Sequence, residues 1–226
     1  KIRSPLHGLP ISVKDVVHVK GMPTSSGSKV MEGFMPDDDA TAVRLLREAG
    51  AIIIGKAHTH EFALGVTTPQ SRNPWDTSRD PGGSSGGSAI SVSTGMSFLS
   101  VGTDTRASIR VPASLCGTLG YKPTYGLVST DGIVTLSWSM DHTGLMGRTS
   151  EDVAIMMNII QGVDSKDSGT LDLPDDDYTD YLFKDVSGLR VGLAVEALEG
   201  ADPETLRTFN ACVETFRSLG VEVVET

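Results

Sequence analysis

Short apolar runs alternate with helical stripes along this chain. The run Ile11-Ser12-Val13-Lys14-Asp15-Val16-Val17 is β-branched and bounded by proline and glycine, which predicts a buried strand over 11–17. Residues 40–49 carry Val43, Leu45 and Leu46 on one helical face; Asp37-Asp38-Asp39 before them suit a helix cap and Gly50 a helix end. The apolar run Ala51-Ile52-Ile53-Ile54-Gly55-Lys56 follows as a short strand. Strand, helix, strand in that order predicts a parallel βαβ unit, and with it an α/β fold.

Further on, the uncharged stretch Ser88-Ala89-Ile90-Ser91-Val92-Ser93 and the residues up to 102 can pack as a helix and a strand. Residues 111–117 read as a short buried helix, and 120–147, rich in glycine and threonine, as irregular. Ser150-Glu151-Asp152 opens a strongly amphipathic helix to 160, with Val153, Met156, Met157 and Ile160 facing inward. Residues 164–180 are acidic and polar, as an exposed loop would be. A buried strand over 188–195, a helix over 203–219 and a strand-like run over 221–226 complete the pattern. No internal repeat is present.

Composition narrows the classes. The chain has 226 residues, 38% hydrophobic and 21% charged, enough for a substantial core, and it is read as one domain over 1–226. A net charge of −10 argues against a nucleic-acid groove or an anionic membrane surface, since both need clustered Lys and Arg. No run approaches the roughly 20 apolar residues that span a bilayer. The expected location is the cytoplasm. Cys116 and Cys212 have neither a redox nor a zinc spacing and are expected as buried free thiols. The first residue is Lys1, and the last run is a strand directly after a helix, so the chain is expected to be a fragment lacking parts at both ends.

Two stretches carry candidate chemistry. His58-Thr59-His60-Glu61, after a strand, has the look of the start of a zinc site, but His7, His18 and His142 offer no paired spacing to complete it, and no metal is expected. Between 81 and 110 lie two clusters of small residues, 82–88 and 102–110, each with a hydroxyl on a backbone with little side-chain cover. Glycines around serines suit a backbone approached closely by a ligand or another chain segment, whereas a flexible linker would have polar flanks. A strand lysine is costly to bury charged. From 11–17 alone, an edge strand with Lys14 and Asp15 turned to water is an equally good reading. If the lysine is buried, however, its pKa falls toward neutrality, and it can act as the base for a serine nucleophile, with a second serine relaying the proton.

These residues together resemble the amidase signature family. The matching motifs are Gly8-Leu9-Pro10-Ile11-Ser12-Val13-Lys14-Asp15, Asn73-Pro74-Trp75-Asp76, Pro81-Gly82-Gly83-Ser84-Ser85-Gly86-Gly87-Ser88, Gly102-Thr103-Asp104-Thr105 with Ser108-Ile109-Arg110, Gly120-Tyr121-Lys122-Pro123-Thr124, and Ser139-Met140-Asp141-His142-Thr143-Gly144. They run in family order through nearly the whole chain. The resemblance implies a mixed central sheet covered by helices on both faces, present here as an incomplete domain. It implies Lys14 as base, Ser84 as bridging serine after a cis peptide, and Ser108 as nucleophile. The N–H groups of Thr105, Arg106, Ala107 and Ser108 would form the oxyanion hole, with Asp104 and Arg110 as a structural ion pair beside it. Where the family usually has two glycines before the nucleophile, this chain has Arg106 and Ala107, which can crowd a substrate and restrict φ.

The expected function is hydrolysis of a carboxylic acid amide through a serine acyl-enzyme, with no cofactor. The alternatives are a glutaminase subunit of a tRNA-dependent amidotransferase, which requires partner subunits, and a catalytically silent relative. The expected partner is a small-molecule amide, with no nucleic acid contacted directly and no membrane; a homodimer is left open.

Overall fold

Strand β1 (Pro10–Lys14) takes its place in a computed structural model that describes residues 1–174 and 176–226. The chain divides into two units, Lys1–Leu182 and Phe183–Thr226. In the first, β1 lies between β2 (Ile52–Ala57) and β3 (Leu99–Asp104), parallel to both. Beyond β3 come β5 (His142–Gly147), antiparallel to it, and β4 (Leu119–Tyr121), antiparallel to β5. The sheet is therefore mixed, in the order β2-β1-β3-β5-β4. The expected βαβ unit is β1, α1 (Thr41–Glu48) and β2.

The period of two in β1 and β3 sorts side chains to opposite faces. Ile11, Val13, Leu99, Val101 and Leu145 join one core with Val43 and Leu46 of α1 and with Val153, Met156, Met157 and Ile160 of α4 (Ser150–Ile160). Each such buried side chain contributes about 1.5–3 kcal/mol. On the other face, Met146 packs with Ala89 and Val92 of α2 (Gly86–Ser93) and with Ala113 and Cys116 of α3 (Arg110–Cys116). Helices thus cover both faces.

Several elements differ from the sequence expectation. Strand β1 ends at Lys14, because Val17 N–H turns back to the Lys14 carbonyl at 3.0 Å. The acidic triplet does not cap α1: the N-cap is Ala40 and has no side-chain cap. Instead, Asp39 accepts from Lys20 N–H at 2.7 Å and pairs with Arg47 at 3.4 Å, while Thr41 N–H finds the Asp131 carbonyl at 3.3 Å. The stretch 120–147 contains β5, whose glycines hide it from a period-two reading. A Cβ at Gly144 would stand 2.5 Å from Tyr121 O and 2.6 Å from Ile109 Cδ1, so only glycine lets β4 and α3 approach this closely.

Helix α4 starts as expected, with a capping box in which Thr149 and Asp152 each satisfy the other's backbone N–H. The acidic stretch after it is partly pinned: Asp164 accepts from Ser129 Oγ at 2.6 Å and Asp167 from Thr130 N and Oγ1 at 2.7 and 2.8 Å. Asp175, in the same expected loop, lies outside the described residues.

The second unit holds β6 (Arg190–Leu193) parallel to β7 (Glu222–Glu225), joined through α5 (Pro203–Ser218). Helix α5 begins with Pro203 after an Asp202 cap that accepts from Glu204 and Thr205 N–H. Strand β6 was expected to be buried, yet it alternates between exposed and half-buried, since its sheet has two strands. Cys212 was expected to be buried and is exposed, because α5 buries Val213 alone.

Candidate active site

The carboxyl ends of β1 and β3 and the amino end of α2 meet where the sequence put its candidates. Lys14 is the last residue of an inner strand and fully buried, which removes the edge-strand reading. Its Nζ donates to Ser84 Oγ at 2.7 Å and to Thr103 Oγ1 at 2.8 Å. Among the described residues no carboxylate pairs with it directly. Burial therefore dominates and lowers its pKa to about 7, against the opposing pull of Asp104 and then Asp141.

Neighbouring Asp15 was the other charge of that strand run. It takes Lys56, at the end of β2, as an ion-pair partner at 2.9 Å. Burial lowers the Lys56 pKa too, with Asp15 opposing.

Ser84 sits in the turn that feeds α2, and its placement follows from small residues. Gly82 has φ +81°, and the Gly83–Ser84 peptide is cis, as the resemblance implies. A Cβ on Gly83 would lie 2.1 Å from Thr67 O, and one on Gly87 would lie 2.4 Å from His58 N, so neighbouring backbone presses directly on both. The first N–H groups of α2 need outside acceptors. Gly86 finds Thr68 Oγ1 at 3.1 Å, Gly87 the His58 carbonyl at 3.1 Å, and Ser85, just before, the Ser108 carbonyl at 3.1 Å. That last bond ties the two hydroxyl-bearing loops together through their backbones.

Ser108 lies in the turn between β3 and α3 and is 8% exposed. Among the described residues its hydroxyl has no hydrogen-bond partner; Lys14 and Ser84 are joined, and Ser108 is held beside them by the backbone bond to Ser85. Nor does any described residue accept from the N–H groups of Arg106, Ala107 or Ser108. The Arg106 side chain is exposed.

Asp104 and Arg110 pair bidentately, Nε to Oδ2 and Nη2 to Oδ1, both at 3.1 Å, and Ile109 N–H adds a third bond at 3.1 Å. Burial opposes ionisation of Asp104, but these donors outweigh it and hold the carboxyl below its usual range.

Two participants escaped the sequence reading. Thr103 supplies the second oxygen to Lys14, and Asp141, quoted only as part of a motif, accepts from Thr105 Oγ1 at 2.6 Å. Membership of a motif was the available signal for each, 139–144 for Asp141 and 102–105 for Thr103. His58 and His60 form no metal cage: among the described residues no three His, Cys, Asp or Glu side chains gather to hold an ion. His58 Nδ1 lies instead 3.0 Å from Ser71 Oγ.

A family model described as Amidase matches residues 1–226. The chain belongs to the amidase signature family. Among its curated relatives is a glutamyl-tRNA(Gln) amidotransferase subunit from Nitratidesulfovibrio vulgaris, 49% identical over 229 residues, covering 98% of this chain and 47% of that protein. Among solved amidase-family structures, the corresponding glutamyl-tRNA(Gln) amidotransferase subunit from Thermotoga maritima superposes with a TM-score of 0.95 at 39% identity, covering 100% of this chain and 51% of that one. Native peptide amidase from Stenotrophomonas maltophilia superposes at 0.91 and 38% identity, covering 100% and 49%. The chain thus spans about half the length of the relatives it matches. Among the described residues no helix is long and apolar enough to cross a membrane.

Proposed function

We propose that this chain carries the machinery of an amide hydrolase working through a serine acyl-enzyme, acting in the cytoplasm on a small-molecule amide. The observation that carries the reading is a fully buried lysine with no carboxylate partner among the described residues, its Nζ 2.7 Å from the hydroxyl of Ser84. A pKa of about 7 leaves a large neutral fraction at physiological pH, and a neutral amine is a competent base.

In this reading Ser108 Oγ attacks the amide carbon while its proton passes through Ser84 Oγ to Lys14 Nζ. The carbonyl π pair moves onto oxygen, and N–H groups of residues 105–108 stabilise that oxyanion. When the C–N bond breaks, the relay returns the proton to the departing amine, and water then hydrolyses the ester. The relay needs a Ser84–Ser108 hydrogen bond; catalytic hydrogen bonds commonly tighten in the substrate complex. Side chains at Arg106 and Ala107 leave the backbone donors in place, and an exposed Arg106 leaves the turn uncovered.

A second reading, glutamine as the amide with partner subunits receiving the ammonia, is favoured by the 49% identity to a subunit of glutamyl-tRNA(Gln) amidotransferase. Ammonia release from glutamine, measured for the full-length chain with and without co-purified subunits, separates the two.

The primary test is labelling of the full-length chain by a serine-reactive fluorophosphonate, located by mass spectrometry, alongside turnover of small aryl amides. Label on Ser108 and turnover that rises with pH through about 7 are expected. If only an Arg106→Gly, Ala107→Gly double variant turns over, the native turn is not a working oxyanion hole and the chain is a silent relative.

A further inference from the structure

Asp141 is 7% exposed, and its two oxygens do different things. Oδ2 accepts from the N–H groups of Leu136 and Ser137 at 2.7 and 3.0 Å, closing its own loop. That alone satisfies a local structural role. Oδ1 reaches a different part of the chain and accepts the Thr105 hydroxyl at 2.6 Å, across 36 positions.

The turn from Thr105 to Ser108 has other anchors on both sides: before it, His142 Nδ1 lies 3.1 Å from the Asp104 carbonyl. The Asp104–Arg110 pair and Ile109 N–H brace the start of α3, Arg110 Nη2 also donates to the Arg106 carbonyl, and Ser108 O accepts from Ser85. These anchors grip side chains and carbonyls and leave the N–H groups of 106–108 free. Thr105, the turn's first residue, is held by its own hydroxyl, and a carboxylate acceptor makes such a bond short and strong.

We propose that Asp141 is a positioning residue for the oxyanion turn: by accepting from Thr105 it fixes the turn's first residue and so the direction of the N–H groups that follow. The inference rests on the acyl-enzyme reading above and deepens it. Asp141 also lines an open pocket with Tyr125, Thr130, Ile133 and Trp138, so a ligand seated there touches the same loop that holds the turn.

The test uses the full-length chain, with initial rates on a small aryl amide and inactivation rates with an aryl fluorophosphonate. Thr105→Val keeps the shape and removes the hydroxyl; kcat and the inactivation rate should fall about 10- to 100-fold with KM nearly unchanged, as for a displaced transition-state donor. Thr105→Ser should recover most of that loss. Asp141→Asn should fall by a similar factor and differ in one respect. The charged groups around Lys14 are Asp104, itself paired with Arg110, Asp141, and the mutually compensated Asp15 and Lys56. Neutralising Asp141 should therefore also move the acid limb of the rate profile to lower pH, while Thr105→Val leaves it in place.

Thr105→Ala is the second hydroxyl-less variant should Thr105→Val not fold. A reactive wild type whose hydroxyl-less variants react equally fast overturns the inference alone. So does a Thr105→Ser that is as slow as Thr105→Val. A wild type inert toward both reagents overturns the acyl-enzyme reading and the inference with it.

Discussion

The two faces of the central sheet are built on opposite principles. One is hydrocarbon: Ile11, Val13, Leu99, Val101 and Leu145 meet the stripes of α1 and α4, and volume fills the space. The other replaces volume with hydroxyls and bare backbone. There Ser12 Oγ lies 2.7, 3.1 and 2.8 Å from the hydroxyls of Ser91, Ser97 and Ser100, all buried. Glycines 83, 86, 87, 102, 120 and 144 admit neighbours so close that any Cβ would be in tight contact or collision. The first face stabilises the sheet; the second lets α2 and α3 come near enough for Lys14 to hydrogen-bond Ser84.

The contrast is tested most strongly at Lys14. Replacing it by Met keeps the length and the fold and should lower acylation about 1,000-fold or more, measured as the fluorophosphonate inactivation rate. Unchanged reactivity would mean that the second face is only packing.

The same substitution should change how stability depends on pH. The folded pKa lies at about 7, below the unfolded value near 10.5, so between these limits the unfolded chain binds more protons and stability rises with pH. Below about 7 both states are protonated and the dependence ends. Wild type should gain on the order of 4 kcal/mol relative to Lys14→Met from pH 7 to 10.5. Parallel stability curves from denaturant titrations would show that Lys14 titrates normally.

Next come paired changes of opposite sign in volume. Leu145→Ala removes hydrocarbon from the first face and should cost about 3 kcal/mol. Gly87→Ala adds one carbon to the second, against His58 backbone at 2.4 to 2.9 Å, and should cost about as much. A tolerated Gly87→Ala would erase the distinction between the faces. The smallest effect belongs to Ser12→Ala, about 1 kcal/mol for a hydroxyl network losing one member. A loss as large as that of Leu145→Ala would make the hydroxyl face as demanding as the apolar one.

Legibility in the sequence followed the same division. Helix α4 was readable because its stripe and its acidic first turn are local, and β1 through its β-branched residues bounded by proline and glycine, with Lys14 inside it. Strand β5 was not, since Gly144 and Gly147 answer to neighbours on other elements. The start of α1 escaped because Thr41 N–H is satisfied by the Asp131 carbonyl, far along the chain. At the site, Lys14, Ser84 and Ser108 stood out through motifs, and the structure joins Lys14 to Ser84 by a direct bond. The support from Thr103 and Asp141 depends on pairings between distant segments, which no local pattern encodes.

The position of β1 between two later strands also matters before the fold exists. Its partner on the β3 side is made long after it: Ser12 and Ser100, bonded in the fold, are 88 positions apart. Closing parallel pairs over such distances is slow, and until then a β-branched run lies open to pairing with other copies. In that open chain Lys14 has its ordinary pKa near 10.4 and is charged, and a charge inside a sticky strand discourages aggregation. On folding, burial lowers that pKa to about 7 and the side chain gives up part of its charge: the packing that makes Lys14 a candidate base also removes the charge that shields the unpaired strand.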